Sequence, residues 1–432
     1  MKLTLRELIH TTLQRLSLER VMRSKIICSG RVLEVGGERI ELEPFKKILV
    51  VSIGKAGVQM ADAFSAIVAP DVVSGVVVAP VLPEHKTRHF MAYAGGHPYP
   101  DQGSFYAADV VQELLDDLKP YYLVVYLLSG GGSALCEKPV SNEISLEDAR
   151  EFYRVLVTCG ANIVEMNVLR KHLSAIKGGR LAEMAHPARQ ITLFVSDVPA
   201  DRPSTVASGP TMPDESTVED CHEIAERLTL AHRFPASIQR LFAEQRIPET
   251  PKPGGEVFSN SSWHCLLGNE SAIEDLSASC RARQWHVEVD LSVDDWPLSK
   301  AANHLLRRLE QLQAENPGRT VALLTGGELS CPVTGDGMGG RNQAFVLDCV
   351  PKIAGKNMAV ISAGTDGIDG NSPAAGALAD SMTLQRASEQ GLDPADFQRR
   401  SDSFHFFEKL GDSLITGPTG NNVRDLRMLV AW

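Results

Sequence analysis

Short, uninterrupted apolar runs alternate along this chain with stretches whose apolar residues recur at helical spacing. Five of the runs stop abruptly in loops of glycine mixed with charged or hydroxyl residues. They are ILVVSIGKAG (48–57), LVVYLLSGGGS (123–133), ITLFVSDVPADRP (191–203), LLTGGE (323–328) with its continuation GDGMGGRNQ (335–343), and MAVISAGTDGIDG (358–370). A buried strand needs a continuous apolar run, and a glycine-rich turn after it lets backbone N–H groups approach an anion closely. Repetition of that pattern predicts an α/β fold with its chemistry at the carboxyl ends of the strands.

The same pattern predicts a helix over about 4–24, an irregular or hairpin passage, and a strand at 48–53. That strand leads into a helix with apolar positions Val58, Ala61, Phe64 and Ile67. A strand at 74–80, the loop Gly95-Gly96-His97-Pro98, a helix near 101–118 and a strand at 123–128 follow. The helical stretch 146–186 is expected to break at Gly160 and at Gly178-Gly179. Beyond it come a strand at 191–195 and helices over 217–228 and 235–244. Strands alternating with helices favour a parallel, doubly wound sheet. Three prolines and two glycines within residues 247–255 mark the best candidate for a crossing between domains, dividing the chain into 1–246 and 247–432. The second half restarts the alternation, with strands near 264–268, 286–290, 321 and 358 and a helix ending about 315.

At 432 residues the chain is long enough for two domains with sizeable cores. A net charge of −11 and the lack of a long basic tract argue against nucleic acid or an anionic membrane as its main partner. The longest apolar runs fall far short of the ~20 residues of a membrane helix. Residues 1–10 alternate charged and apolar positions where a signal peptide would have an apolar core. Eight cysteines are scattered without a CxxC pair or a Cys/His grouping of metal spacing, the pattern of reduced, mostly buried thiols in a cytoplasmic protein.

The charged members of the loops narrow the chemistry. SIGKAG (52–57) is neither a Walker A loop nor a complete GxGxxG. Its Lys55 adds an ammonium where a helix N-terminus is already positive, which is favourable mainly with an anion between them; the alternative is a solvated turn lysine. The consecutive Gly130, Gly131 and Gly132, flanked by Ser129 and Ser133, suit a phosphate cradle or a flexible loop. Residues 165–180 read as a helix with Arg170, Ser174 and Lys177 on one face, an anion-facing stripe or a solvated one, and His172 reads as structural. Asp197 at a strand end is placed for a magnesium ligand or a base, and Ser208 follows on the same loop. Asp366 and Asp369 offer further carboxylates, with Asx-turn duty as the alternative. Arg341, in the first turn of a helix after Gly339-Gly340, opposes the helix dipole, so a bound carboxylate or phosphate is expected there. Many glycines, several cations and carboxylates, and no nucleophilic Ser/His/Asp set fit phosphoryl transfer, in which a protein supplies positioning and charge neutralisation.

Taken in order, seven segments carry a resemblance: SIGKAG (52–57), GGHPYPD (95–101), SGGGSAL (129–135), NVLRKHLSAIKGGRLA (167–182), SDVPADRPSTVASGPTMPD (196–214), LLTGGELSCPVTGDGMGGRNQAFVL (323–347) and SAGTDGIDGNSPAAGALAD (362–380). Through them the chain resembles the glycerate 2-kinases of the MOFRL type, a family often labelled hydroxypyruvate reductase. The resemblance implies two three-layer α/β/α domains of different topology, the first with a mostly parallel Rossmann-like sheet, and an active site in the cleft between them. It implies transfer of the γ-phosphate of ATP to the 2-hydroxyl of D-glycerate, giving 2-phosphoglycerate, with Mg2+. The catalytic residues it implies are Lys55, Arg341 and Asp197. Gly54, Gly130, Gly131, Gly132, Ser133, Lys177, Gly326 and Gly327 would bind the nucleotide, and Arg170, Ser208, Gly340 and Asn342 the substrate. Asp197, Glu328 and Asp366 would hold the metal. Arg341 would clamp the glycerate carboxylate bidentately or stabilise the equatorial oxygens, and Asp197 would ligate magnesium or take the 2-hydroxyl proton, with Asp366 and Glu328 as rivals for either task. A related 2-hydroxy acid is an alternative substrate, and NAD(P)H-dependent reduction of hydroxypyruvate an alternative activity. Against reduction, no strand is followed by a full GxGxxG with an acidic residue about twenty positions on. The oligomeric state is open and admits a homodimer.

Overall fold

The helix predicted over 4–24 is two helices, α1 (Lys2–Arg15) and α2 (Leu18–Lys25), parted at Leu16-Ser17. α1 buries Leu5, Leu8, Ile9, Thr12 and Leu13, and α2 buries Leu18, Val21 and Met22, but the two stripes serve different cores. The Asn421 side chain donates to the Leu16 carbonyl at 2.7 Å, so the end of α1 is satisfied where the helix breaks. In this computed structural model residues 1–68, 73–83, 89–199, 202–230 and 232–432 are described, which leaves Ala200 and Asp201 of the predicted 191–203 loop outside. The chain divides into an amino unit, Leu18–Leu266, and a carboxyl unit, Leu267–Trp432 with Met1–Ser17. That division differs from the 1–246 and 247–432 read from the sequence. Residues 247–255 stay with the amino unit, because the Pro248 and Glu249 carbonyls accept from Arg180 Nη2 and the Pro251 carbonyl from the Asp214 N–H.

The amino unit starts with β1 (Ile26–Ser29), β2 (Val32–Val35) and β3 (Glu38–Glu41), an antiparallel ribbon. Its main sheet consists of β4 (Lys47–Ile53), β5 (Val73–Ala79), β6 (Phe90–Ala94), β7 (Tyr122–Leu128), β8 (Arg189–Val195) and β9 (Ser261–Leu267), in the order β6-β5-β4-β7-β8-β9. The pairings from β6 through β8 are all parallel. The helices are α3 (Gly57–Ile67), α4 (Gln102–Leu115), α5 (Gly132–Leu135), α6 (Leu146–Thr158), α7 (Ile163–His172), α8 (Arg180–Ala185), α9 (Val218–Arg227) and α10 (Ala236–Ala243). Side chains alternate between faces of a strand. Leu49, Val51 and Ile53 of β4 accordingly share one core with α4 and α8, while α3 lies against β4, β5 and β7 outside that core. From β4 the chain moves outward to β5 and β6, then returns past β4 to β7, so the strand order reverses between β4 and β7. Ile53 pairs with Leu128 and Leu128 with Phe194. The loops leaving β4, β7 and β8 therefore begin side by side at the switch point, where open α/β sheets bind ligands.

The carboxyl unit contains α11 (Asn269–Arg281), β10 (His286–Val289), α12 (Leu298–Glu315), β11 (Val321–Thr325), α13 (Arg341–Ile353), β12 (Met358–Gly364), β13 (Gly376–Asp380), α14 (Thr383–Glu389), α15 (Pro394–Arg399), α16 (Ser403–Leu410), β14 (Ser413–Leu414) and β15 (Asp425–Ala431). Its sheet order is β10-β11-β15-β12-β13-β14, parallel only between β10 and β11. β15, buried throughout, is inserted antiparallel between β11 and β12 and sets Asp425 beside Gly364 and Arg427 beside Thr325. α12 and α13 share a core with Leu323, Val360 and Leu429. α11 takes the opposite face, where Cys280 Sγ meets Met428 Sδ at 3.7 Å. The fold is thus α/β with two topologies, one sheet parallel over most of its width and one mixed. Of the eight cysteines four are buried, three half-buried and Cys265 exposed, fewer buried than expected. No helix among the described residues is long and apolar enough to cross a membrane.

Candidate active site

In the amino unit, three loops interlock at the strand ends through glycine. Gly54 has φ +137°, and a Cβ there would stand 2.1 Å from Ser129 Oγ. That contact lets the Ala56 N–H donate to Ser129 Oγ at 3.1 Å and the Lys55 N–H to the Gly130 carbonyl at 2.9 Å. Each glycine of the triple has a close neighbour where a side chain would stand, which removes the flexible-loop reading. A Cβ on Gly130 would lie 2.1 Å from Asp197 Oδ2, and one on Gly132 would lie 2.7 Å from the Ala207 Cβ. Gly131, at φ +83°, has the Lys55 side chain and the His97 ring each 3.1 Å from its Cβ position. Lys55, His97, Asp197 and Gly130–Ser133 therefore form one cluster at the switch point. His97 belongs to the GGHPYPD segment, but the sequence reading gave it no role; a histidine in a glycine turn after a strand was the available signal. Desolvation by the surrounding loops, followed by the Lys55 ammonium, holds its pKa below the ordinary value, so the ring is neutral near pH 7.

Hydroxyls continue from the glycine loop inward. Ser133 Oγ lies 2.8 Å from Ser208 Oγ, and the buried Ser208 donates to Asn167 Oδ1 at 2.9 Å. Tyr153 Oη stands 2.6 Å from the Ser133 carbonyl and 2.5 Å from Glu137 Oε2. The stripe predicted from Arg170, Ser174 and Lys177 does not form, because α7 ends at His172. Lys177 is 1% exposed and donates to Glu137 Oε2 at 2.6 Å, while Ser174 donates to Glu137 Oε1 at 2.6 Å. Its ammonium is committed to an internal carboxylate and is not presented to a nucleotide. Arg170 lies over the Tyr153 ring, 5.0 Å from its centre. His172 is structural, bonded to the Val168 carbonyl and to Glu249.

In the carboxyl unit, Arg341 opens α13 with its anions supplied by the protein itself. Nε and Nη2 donate to the two Asp425 oxygens at 2.7 and 3.1 Å, and Nη2 also meets Glu328 Oε1 at 2.9 Å. The edge expected to clamp a glycerate carboxylate is therefore held by Asp425. Asp425 also accepts from the fully buried Arg427 at 2.6 Å. Asp369, not a ligand, neutralises the start of α13: its carboxylate accepts from the Asn342 and Gln343 N–H groups at 3.0 and 2.8 Å. Gly340 permits that approach, since a Cβ there would lie 2.4 Å from Asp369 Oδ1. Asn342, expected on the substrate, is 1% exposed and bonds only internally, to Asp369, Asp425 and Ser362. Gly326 and Gly327, expected on the nucleotide, turn their carbonyls to Arg427, and the Gly327 and Glu328 N–H groups donate to Asn269 and Asp294. Burial and the nearby Asp425 carboxylate raise the pKa of Asp366.

Among the described residues no three His, Cys, Asp or Glu side chains converge on one point as a metal cage. The donors available at either cluster are carboxylate oxygens, which suit Mg2+ bound through one or two carboxylates and the phosphates of a substrate.

Residues 4–243 match a domain of unknown function, DUF4147, and residues 321–425 match the MOFRL family. The chain is 34% identical over 421 residues to the D-glycerate 2-kinase of Thermotoga maritima, covering 96% of this chain and 97% of that one. It is 36% identical to a hydroxypyruvate-reductase-labelled protein of Agrobacterium vitis, covering 89% of this chain and 99% of that one. The crystal structure of glycerate kinase from Thermotoga maritima superposes with a TM-score of 0.87 at 31% identity, covering 100% and 99% of the two chains.

Proposed function

The chain belongs to the family that joins a DUF4147 domain to a MOFRL domain, and we propose that it is a kinase transferring the γ-phosphate of ATP to the 2-hydroxyl of D-glycerate. The observation that carries the reading is the cluster at the ends of β4, β7 and β8, where one ammonium, one neutral imidazole, one carboxylate and a close-packed glycine loop meet. Phosphoryl transfer needs oxygens held in line and negative charge offset, with little covalent chemistry from the protein. Lys55 supplies the charge, and the Gly130–Ser133 loop seats an anionic group of substrate or nucleotide beside it. Asp197 would hold Mg2+ with the phosphates or accept the hydroxyl proton, and Ser133, held from behind by the buried Ser208, would orient the acceptor. Mg2+, when bound, offsets the charge that develops on the transferred group. In the carboxyl unit Arg341, oriented by Asp425 and Glu328, offers a preorganised positive charge for phosphate oxygens.

The test uses purified protein with ATP, Mg2+ and D-glycerate, and separately with hydroxypyruvate and NADH. The proposal expects ADP formation that depends on D-glycerate. Oxidation of NADH by hydroxypyruvate, with no glycerate-dependent ADP, would replace it with the reductase reading suggested by the Agrobacterium vitis label.

A further inference from the structure

The loop 334–340 was singled out by its glycines, and the cluster above makes no use of it. It is not an anion cradle, because five of its seven N–H groups are bonded within the carboxyl unit. Thr334 and Gly335 donate to Ser401 Oγ at 3.0 and 3.3 Å, Gly337 to the Arg400 carbonyl at 3.0 Å, Met338 to Asp402 at 3.1 Å and Gly339 to Asn371 at 2.8 Å. Glycine is required at 335 and 337 for a different reason: a Cβ at either would lie 2.5 to 2.6 Å from the Arg400 carbonyl oxygen. The loop is thereby tied to the α15–α16 segment, and between them the carboxyl unit forms an open cavity of about 820 Å³.

That volume falls in the ~300–1,000 Å³ range of small-molecule sites. The cavity wall is graded. Arg341, Ala344 and Leu347 lie along α13 and line it, with Asp366 at the Arg341 end and Leu329 and Phe397 among the apolar lining. Six helical steps along the backbone carry α13 from Arg341 to Leu347, about 9 Å at the rise of an α-helix. A ligand fitted to this wall has an apolar body at one end and an anionic group about that far away. D-glycerate has only polar carbons and is far smaller than the cavity. Of the two substrates of the proposed reaction, only ATP carries an apolar planar ring joined through a ribose to phosphates.

We infer that this cavity is the nucleoside site, with the purine ring against Ala344, Leu347, Leu329 and Phe397 and the phosphates directed toward Arg341. The inference rests on the kinase reading and goes beyond it by placing the nucleoside wholly in the carboxyl unit, apart from the triple-glycine loop.

The test has two parts. The full-length protein is photolabelled with 8-azido-ATP and Mg2+ and the modified peptides are mapped. Steady-state constants are then measured for Ala344→Phe, which narrows the cavity, and for Val333→Trp, at a lining position 80% exposed, with circular dichroism to check the fold of each. The inference expects label on residues 329–347 or 397–403, competed by ATP. It also expects a rise of about tenfold or more in the KM for ATP in at least one variant, corresponding to about 1.4 kcal/mol, with the KM for D-glycerate within about twofold. Label confined to other peptides, with the ATP KM unchanged in both variants, overturns it while leaving glycerate-dependent ADP formation intact. Competed label at these peptides in a wild-type protein that forms no glycerate-dependent ADP keeps the nucleoside site and rejects the kinase reading.

Discussion

Arg341 shows how a single side chain can be recognised and still be misjudged in its partner. A cation in the first turn of a helix demands an anion, and the sequence offered glycerate or phosphate as that anion. The structure supplies Asp425 and Glu328 for the side chain and Asp369 for the helix start. Asp425 was not legible, because it opens β15, a strand 84 positions away in sequence that no loop motif announces. Removing Arg341 takes away a preorganised charge, and Arg341→Ala is expected to lower kcat by about two orders of magnitude or more. Arg341→Lys is expected to recover little of it, since an ammonium cannot reproduce the two-point bond to Asp425. Steady-state kinetics of the two variants, with circular dichroism to confirm folding, checks both; near wild-type turnover in Arg341→Ala would remove the residue from the mechanism. Lys55 and His97 give a prediction free of any activity. His97 titrates low through desolvation and, secondly, through the Lys55 ammonium. Lys55→Met keeps the packing against Gly131 and removes the charge, so the imidazole pKa should move upward toward its ordinary value, as read by NMR titration of the ring protons. An unmoved pKa would separate the two residues.

Among elements, those that the pattern of apolar positions revealed are the ones with a face of their own. β4, β7 and β8 are continuous buried runs, and α3, α4, α9 and α10 follow the predicted spans within a few residues. Elements defined by a distant partner escaped. The boundary of α1 is set by the different cores under α1 and α2, and the end of α7 by Lys177 turning inward to Glu137. Residues 247–255 read as a linker because of their prolines and glycines, yet Glu249 fastens them. Burial works against its charge, but bonds from Lys252, the Thr250 N–H, His172 and the Val218 N–H outweigh it and hold the carboxyl at about 2, against an ordinary 4.5. A carboxylate whose pKa is depressed by folding adds stability above its unfolded value and loses it as the pH falls toward its folded one. The contribution of Glu249 should therefore be full above about 4.5 and disappear between there and about 2. Glu249→Gln should lower the melting temperature at pH 7 and flatten its fall across that acid window. Thermal melts at several pH values measure this; a parallel pair of curves would deny Glu249 its role.

For the molecule as a whole, the α/β class and the loops after β4, β7, β8, β11 and β12 were visible from strand endings alone. Which strands stand next to each other was not, because adjacency depends on crossovers that leave no local mark. The reversal between β4 and β7 gathers Lys55, the triple glycine and Asp197 in one unit, and the insertion of β15 gathers Glu328, Arg341 and Asp366 in the other. Both gatherings set cations beside carboxylates, and a relative named D-glycerate 2-kinase matches along nearly the whole chain. The claim that most needs testing is transfer to the 2-hydroxyl. The direct measurement is the phosphorus NMR spectrum of the product made by the purified protein from D-glycerate, ATP and Mg2+. Phosphate on C2 couples to a single proton and gives a doublet, which the account predicts. A triplet from phosphate on the C3 methylene, or no phosphorylated glycerate at all, would contradict it.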